Sequence, residues 1–332
     1  MTTDSHEAAM RLALAHVSAR ALHVFVSLGI PDLLFDGPRS AATLAAATST
    51  HELSLLRLLR ATAALGLVNE ANDAFALTAI GLALCSNATR RASAATQMMG
   101  SVGMWRAFGD LTYSVRTGQP SYLRDDPTPT YQKLNGDTSP QLTGTMLAFY
   151  GGEPEAILDA YDFSRFATIV DAGGRAGNLL TTILGATPGP RGVIFDLPVA
   201  AKQARDTIAE RGLAERCLFT GGDFFDSVPA GADAYILSHV INDWPEEKAL
   251  RILQNVRRAI AANGVLLVIE ELIGPGAESE RARLLDLVSL VSTGGRHRTA
   301  EEHADILQRS GFRLQRIIPT REPVHLVEAV PV

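Results

Sequence analysis

The chain has 332 residues, 46% of them hydrophobic and 20% charged, enough for two domains of which one carries a sizeable core. Its net charge of −6 argues against nonspecific nucleic-acid binding, which needs a basic surface. Cys85 and Cys217 lie far apart and form no metal-type cluster, MTTDSHEAAMRL lacks a signal-peptide layout, and no apolar run is long enough for a membrane span. The expectation is therefore a cytoplasmic protein with no metal, no disulfide framework and no membrane contact.

Residues 1 to about 100 are rich in Ala and Leu and predict helices. Glu7 to Leu28 carries apolar residues on one face, and GIPDLL follows as a turn between helices. SAATLAAATSTHELSLLRLLRATAALGLV predicts a short helix, a turn at Ser49-Thr50 and a longer helix ending near Gly66. LVNEANDAFALT then predicts a hairpin turning at Asn72-Asp73. Helix, helix and wing together point to a winged-helix module. The second helix lacks a dense basic face, so packing against a partner subunit accounts better for its Ala and Leu residues than DNA does.

Residues 101–165 are expected to connect this module to the rest, as helices that contribute to a substrate pocket. Met99, Trp105, Met146, Phe149 and Tyr150 are the candidate lining residues, although Met and aromatic residues at helical spacing also build ordinary core. PSYLRDDPTPTYQKLNGDTSP predicts a long surface loop.

From residue 166 the pattern changes to strands alternating with helices. ATIVDAG, RGVIFDL, CLFTGGD, DAYILSHV and GVLLVIEELI are the strands, and 177–186, 198–211 and 245–262 the clear helices. This alternation predicts a doubly wound, Rossmann-like α/β sheet over 166–332, with ligands at the carboxyl ends of its strands. IVDAGGRAGNLLTTIL is the most informative stretch: a buried strand ending in Asp171, a turn with Gly173, Gly174 and Gly177, then a helix whose N-terminal amides face a ligand. Asp196 ends the next strand, where a carboxylate can accept from ribose hydroxyls, and Leu197 follows it. Asp223 and Phe224 offer an acceptor and a ring at the third strand end. The alternative for each acid is a helix cap. The G-x-G-x-x-G spacing of a dinucleotide fold fails, because Arg175 and Asn178 interrupt it.

DAGGRAG, FDLP, GGDFF, HVINDWPEEKALRIL, LLVIEELI and GGRHRTAEEHADILQRSGF occur in the order and spacing of the S-adenosylmethionine-dependent small-molecule O-methyltransferases, which the chain resembles over nearly its whole length. GGRHRT and the overall length look most like bacterial members that modify phenazines and other antibiotic scaffolds. The resemblance implies a homodimer through an N-terminal winged-helix dimerisation domain, a small aromatic substrate and S-adenosylmethionine as cofactor. By position, Gly173 and Gly177 would line the methionine end, with Asp171, Gly174, Arg175 and Leu197 around them. Asp196 would hold the ribose, and Asp223 with Phe224 the adenine. Ser238 would lie near the sulfonium, and Trp244 would help to close the site. Glu270 matches an acid that orients the base in plant members.

Two departures qualify the resemblance. Family members that methylate oxygen have a histidine base before Asp-Trp; here the residue before Asp243 is Asn242, which cannot take a proton at pH 7. A substrate needing no base, such as an aromatic nitrogen, a carboxylate or an acidic phenol, would suit it, with proximity supplying most of the rate. His239 or His297 is the alternative base. Ile241, Asp286 and Ser289 complete the candidate pocket, and only one of Glu270 and Glu271 is expected to face it. Arg175 stands where the family has its middle glycine, and three outcomes are open: it fills the space of the methionine tail, it points to solvent, or it grips a carboxylate. Together the departures leave two readings. One is a methyltransferase of bacterial secondary metabolism acting on an aromatic or heteroaromatic molecule. The other is a repurposed enzyme on this scaffold that hydroxylates, decarboxylates or cyclises instead.

Overall fold

A computed structural model describes residues 4–90, 92–126, 128, 145 and 148–332. These fall into two compact units. One comprises the described residues up to Trp105 and those among 139–151; the other comprises the described residues among 106–138 and all of 152–332.

In the first unit, helices Ser5–Ala13 and Ala15–Ser27 divide at Leu14, where the sequence had implied one helix. Gly29 takes a φ of 68° and starts the short turn of helix Ile30–Leu33. Helices Ala41–Thr48 and Glu52–Ala64 are separated by left-handed Ser49, at the expected turn. Three strands complete the wing: β1 (Arg39–Ser40), β2 (Val68–Ala71) and β3 (Ala74–Leu77), in the order β1-β3-β2. Asn72 and Asp73 both have positive φ, the conformation a two-residue turn needs to match strand twist, and short polar side chains tolerate it. Phe25, Ile30, Leu44, Leu59, Val68 and Phe75 form the core of this unit. Helix Ser5–Ala13 buries none of its residues, and Met10, Leu12, Leu14 and Val17 stand exposed.

The second unit is built on a seven-stranded sheet. Its strands are β4 (Thr168–Ala172), β5 (Arg191–Asp196), β6 (Cys217–Gly221), β7 (Ala234–Ser238), β8 (Val265–Glu271), β9 (Phe312–Pro319) and β10 (Val324–Pro331). The order is β6-β5-β4-β7-β8-β10-β9, parallel through β8 and antiparallel at β10 and β9. The five expected strands are present. The β9–β10 hairpin is absent from the sequence expectation: FRLQRIIP carries Arg313, Gln315 and Arg316 with no clean alternation, and it forms an edge strand that is mostly exposed or half-buried. One cluster, around Tyr235, Ile252, Val268 and Phe312, packs one face of the sheet; another, around Ile169, Leu180, Ile194 and Leu326, packs the other. Strand order reverses between β4 and β7, so the carboxyl ends of β4, β5, β7 and β8 open onto the crevice where such sheets bind ligands.

Candidate active site

At the end of β4 the chain turns through Gly173 (φ 87°), Arg175 (φ 49°) and Gly177 (φ 79°) into helix Asn178–Ala186. Gly174 is required by Asp171, since a Cβ there would lie 2.8 Å from the Asp171 carboxyl. A Cβ on Gly173 would lie 2.8 Å from Val240, and the Phe224 ring edge is 3.6 Å from the same point. Arg175 adopts the left-handed backbone that a glycine would take, at a cost of about 1–2 kcal/mol for a side-chain-bearing residue. The residue is exposed, so Arg175 does not fill the interior of the turn.

Asp196 organises this turn. Its Oδ2 accepts from the Arg175 N–H at 2.9 Å and its Oδ1 from the Leu197 N–H at 2.7 Å. Each carboxylate oxygen has a second lone pair, so Asp196 keeps capacity for two hydroxyl donors. Burial raises its carboxyl, the two N–H groups and the Arg175 charge counter this, and Asp223 adds to the rise. Asp171 is 2% exposed, and burial, helped by the Asp196 charge, pushes it up to about 7. Asp223 Oδ1 accepts from the Phe225 N–H at 2.8 Å, so it caps a turn and not a helix. Phe224, Phe225 and Trp244 meet edge to face, with Phe225 and Trp244 centroids 4.7 Å apart. Ser238 is half-buried at the end of β7, beside Ile269 of β8.

The other side of the rim is made of buried titratable side chains. His239, at a positive φ of 50°, places Nε2 2.7 Å from Glu153 Oε2. Burial would lower this imidazole, but Glu153, with Glu270 and Glu271 behind it, reverses the effect and holds it above its ordinary value. A positive-φ residue other than glycine at a strand end is the kind of strain that gathers at functional sites. Asn242 is 3% exposed in the short turn Ile241–Asp243. Its backbone N–H donates to Glu270 Oε1 at 2.9 Å, and its side-chain nitrogen lies 3.3 Å from His297 Nε2. His297 Nδ1 is 3.3 Å from the Glu271 carbonyl oxygen, and the His297 N–H donates to Asp286 at 2.7 Å. Burial lowers the His297 imidazole.

Glu270 and Glu271 are both buried, at 0% and 1% exposure, and they serve different partners. Glu270 faces Asn242 and His303, whose Nε2 is 3.6 Å from Oε2; Glu271 pairs with Arg281. Burial drives Glu270 up to about 7, against the lowering pull of Arg298, and His303 down to about 3, helped by Arg298, so the His303 imidazole is neutral. Arg298 is fully buried and donates to the Ile241 carbonyl and to Glu246. Asp243 is exposed, so solvent tempers the upward push of its crowded surroundings, while His239 and Arg175 pull its carboxyl down.

The structure thus brings Asn242, His297, Glu270, Glu271 and Asp286 together, with His239 and Glu153 close by. Ile241 is fully buried in the sheet core, and Ser289 is buried on helix Glu280–Ser292. Met99, Trp105, Phe149 and Tyr150 belong to the first unit, where Trp105 lies under the Arg20 guanidinium at 5.2 Å and Phe149 meets Tyr150 at 5.9 Å. Met146 lies outside the described residues. Sequence reasoning missed Glu153, Arg281, Arg298, His303 and Gly295. A Cβ on Gly295 would lie 2.1 Å from the Asn242 carbonyl oxygen and 2.7 Å from the Trp244 nitrogen, so only glycine lets these segments meet. The GGRHRT segment marked Gly295 and Arg298 as notable, but nothing in the sequence paired them with residues 241–246.

Among the described residues no helix is long and apolar enough to cross a membrane, and no group of three His, Cys, Asp or Glu side chains is placed to hold a metal. Residues 10–87 match an O-methyltransferase dimerisation domain and residues 115–313 an O-methyltransferase domain. The mitomycin biosynthesis 6-O-methyltransferase of Streptomyces lavendulae is 38% identical over 93% of this chain and 90% of its own. The aclacinomycin 10-hydroxylase RdmB of Streptomyces purpurascens is 33% identical over 90% of this chain and 82% of its own. The crystal structure of NcsB1, an O-methyltransferase from neocarzinostatin biosynthesis in complex with S-adenosylmethionine and 2-hydroxy-5-methyl naphthoic acid, superposes with a TM-score of 0.81, at 30% identity, over 95% of this chain and 96% of that one. The chain belongs to the S-adenosylmethionine-dependent O-methyltransferase family, and carries that family's dimerisation domain.

Proposed function

We propose that this family member is a homodimeric methyltransferase of bacterial secondary metabolism, transferring methyl from S-adenosylmethionine to an aromatic or heteroaromatic small molecule without a histidine at position 242. The observation that carries this reading is the disposition of Arg175. The residue keeps the backbone of the glycine it replaces, its N–H is on Asp196, and it is exposed, so the turn retains its form.

The residues present fit the cofactor. Asp196 has unspent acceptor capacity for ribose hydroxyls, and Phe224 beside the turn offers a ring for the adenine, with Asp223 adjacent. Gly173 and Gly177 would line the methionine end, and Arg175, whose charge acts on both Asp196 and Asp243, is placed to meet the cofactor carboxylate from outside. Ser238 and Trp244 would flank the reacting end. When bound, the cofactor supplies an electrophilic methyl group on a cationic sulfur. The raised carboxyls of Asp171 and Asp196 gain from a nearby cation, since a positive charge favours their ionised form.

On the acceptor side, the His239–Glu153 pair holds charge in place, and Glu270 fixes the Asn242 backbone. Asn242 itself cannot take a proton. The chain therefore works by holding and aligning an acceptor already nucleophilic at neutral pH, where positioning is worth about 7–11 kcal/mol at best. The hydroxylase among the relatives, together with Asn242, favours a second reading in which the same fold performs non-methylating chemistry.

Calorimetric titration with S-adenosylmethionine and S-adenosylhomocysteine, on the native chain and on Arg175→Gly, tests the proposal. Micromolar binding by the native chain supports it. Binding only after Arg175→Gly would overturn it in favour of the second reading.

A further inference from the structure

The hydrogen bonds around Asn242 define what its side chain can offer a ligand. His297 Nδ1 faces the Glu271 carbonyl oxygen, which only accepts, so Nδ1 carries the ring proton. Burial keeps the ring neutral, leaving Nε2 as a lone pair. That lone pair faces the Asn242 side-chain nitrogen at 3.3 Å, so the carboxamide donates to it and its orientation is determined. The Asn242 backbone N–H is spent on Glu270. What remains is Oδ1, a buried acceptor that meets no donor among the described residues. A buried acceptor without a donor is costly, and a ligand N–H or O–H relieves the cost.

We propose that Asn242, oriented by His297, is a specificity-determining acceptor: the group it admits bears a hydrogen, an arylamine N–H first and an undissociated phenol O–H second, while carboxylates and hydrogen-free ring nitrogens are disfavoured. This rests on the methyltransferase reading and narrows the acceptors that the missing base alone allowed, removing the carboxylate, the ionised acidic phenol and the bare ring nitrogen. An amine needs no base before reaction. Its nitrogen lone pair forms the new C–N bond, the C–S bond pair stays on sulfur, and the resulting ammonium passes its proton to water. Oδ1, holding an N–H, turns that lone pair away from itself. A carboxylate would bring two acceptor oxygens against a third, the mismatch that polar sites reject most strongly.

The experiment has two parts. Nitrogen-15 NMR of histidine-labelled protein reads the His297 tautomer without any ligand; a protonated Nδ1 and bare Nε2 are expected, and the opposite tautomer overturns the proposal. Then 2-naphthylamine, 2-naphthol, 2-naphthoate and quinoline are titrated, with and without S-adenosylhomocysteine. The amine and the phenol should bind about tenfold more tightly than the other two, one hydrogen bond's worth. Asn242→Leu should equalise the four, and His297→Leu, which frees the carboxamide to flip, should narrow the gap to about threefold. Equal affinities in the native protein, including binding of none, overturn the proposal. Donor preference without S-adenosylhomocysteine binding would instead retire the methyltransferase reading, and the methyl-transfer step with it, while leaving Asn242 as the acceptor that selects hydrogen-bearing ligands.

Discussion

The two sides of the strand-end rim are built by different means. Around β4 and β5 the site is main chain: three positive-φ residues, two N–H groups on Asp196, and glycines whose missing Cβ atoms leave room for Asp171 and Val240. Around β7 and β8 it is side chain: Glu153, His239, Asn242, Glu270, Glu271, His297 and His303, all buried or nearly so, joined across long sequence separations. A turn built from main chain keeps its form when a side chain changes, as the backbone of Arg175 shows. A side-chain-built site depends on each partner, because an uncompensated buried group costs several kcal/mol.

The comparison can be broken from either end. The largest effect is expected from Gly295→Ala, whose new methyl would meet the main chain of residues 242–244, atoms that cannot step aside. We expect a loss of about 3–4 kcal/mol, read by thermal melting, with cofactor affinity reduced far less than acceptor binding. Comparable losses of both would mean that the two sides are one unit.

Glu153→Ala comes next, at about 3 kcal/mol near pH 6, because it strands the His239 imidazolium in a buried place. The sign of its pH dependence follows from the raised His239 value. Stabilisation from the pair is complete below the unfolded histidine value, near 6.5, and is lost as pH rises through the higher folded value. Chemical denaturation between pH 6 and 9 should show this slope in the native chain and not in Glu153→Gln.

Asp196→Asn tests the main-chain side. It removes a charge-assisted acceptor and sets a carboxamide NH2 against one of the two N–H donors, so it should weaken S-adenosylmethionine by about 10–100-fold and lower stability by about 1–3 kcal/mol. An unchanged affinity would exclude Asp196 from the cofactor site. A related pH effect is expected in the native chain: because Asp171 must be ionised to favour a cation, affinity for the sulfonium form should rise several-fold through about pH 7. S-adenosylhomocysteine, lacking that charge, should show a smaller rise. The smallest effect is Arg175→Gly, expected to gain about 1 kcal/mol by relieving left-handed strain, offset in part by unfolded-state entropy.

Much of the main-chain side was legible in the sequence, because glycine spacing and a strand-terminal acid report backbone conformation directly. Asp171, Gly173, Gly174, Gly177 and Asp196 all stand in one turn region, and the five parallel strands follow the apolar runs. The side-chain side was legible only as residue types. Asn242 and His297 were each noted, but 55 positions separate them, and no local pattern joins such residues. Glu153 opens a helix in an unremarkable stretch, and nothing in its sequence surroundings signals the His239 contact 86 positions away. Glu270 and Glu271 alternate in direction as a strand requires, yet both are buried, because Arg281 reaches one and Asn242 with His303 reaches the other.

The β9–β10 hairpin has a consequence for how the protein is made. β10 lies between β8 and β9 and is synthesised after both, so until residues 324–331 have left the ribosome β8 presents an open edge of apolar strand. Such an edge invites pairing with other nascent chains. β10 acts as a keystone, and yield in a foreign host should depend on how promptly it follows β8: slow codons over residues 272–331 would favour inclusion bodies, while a chaperone that shields β8 would favour folded protein.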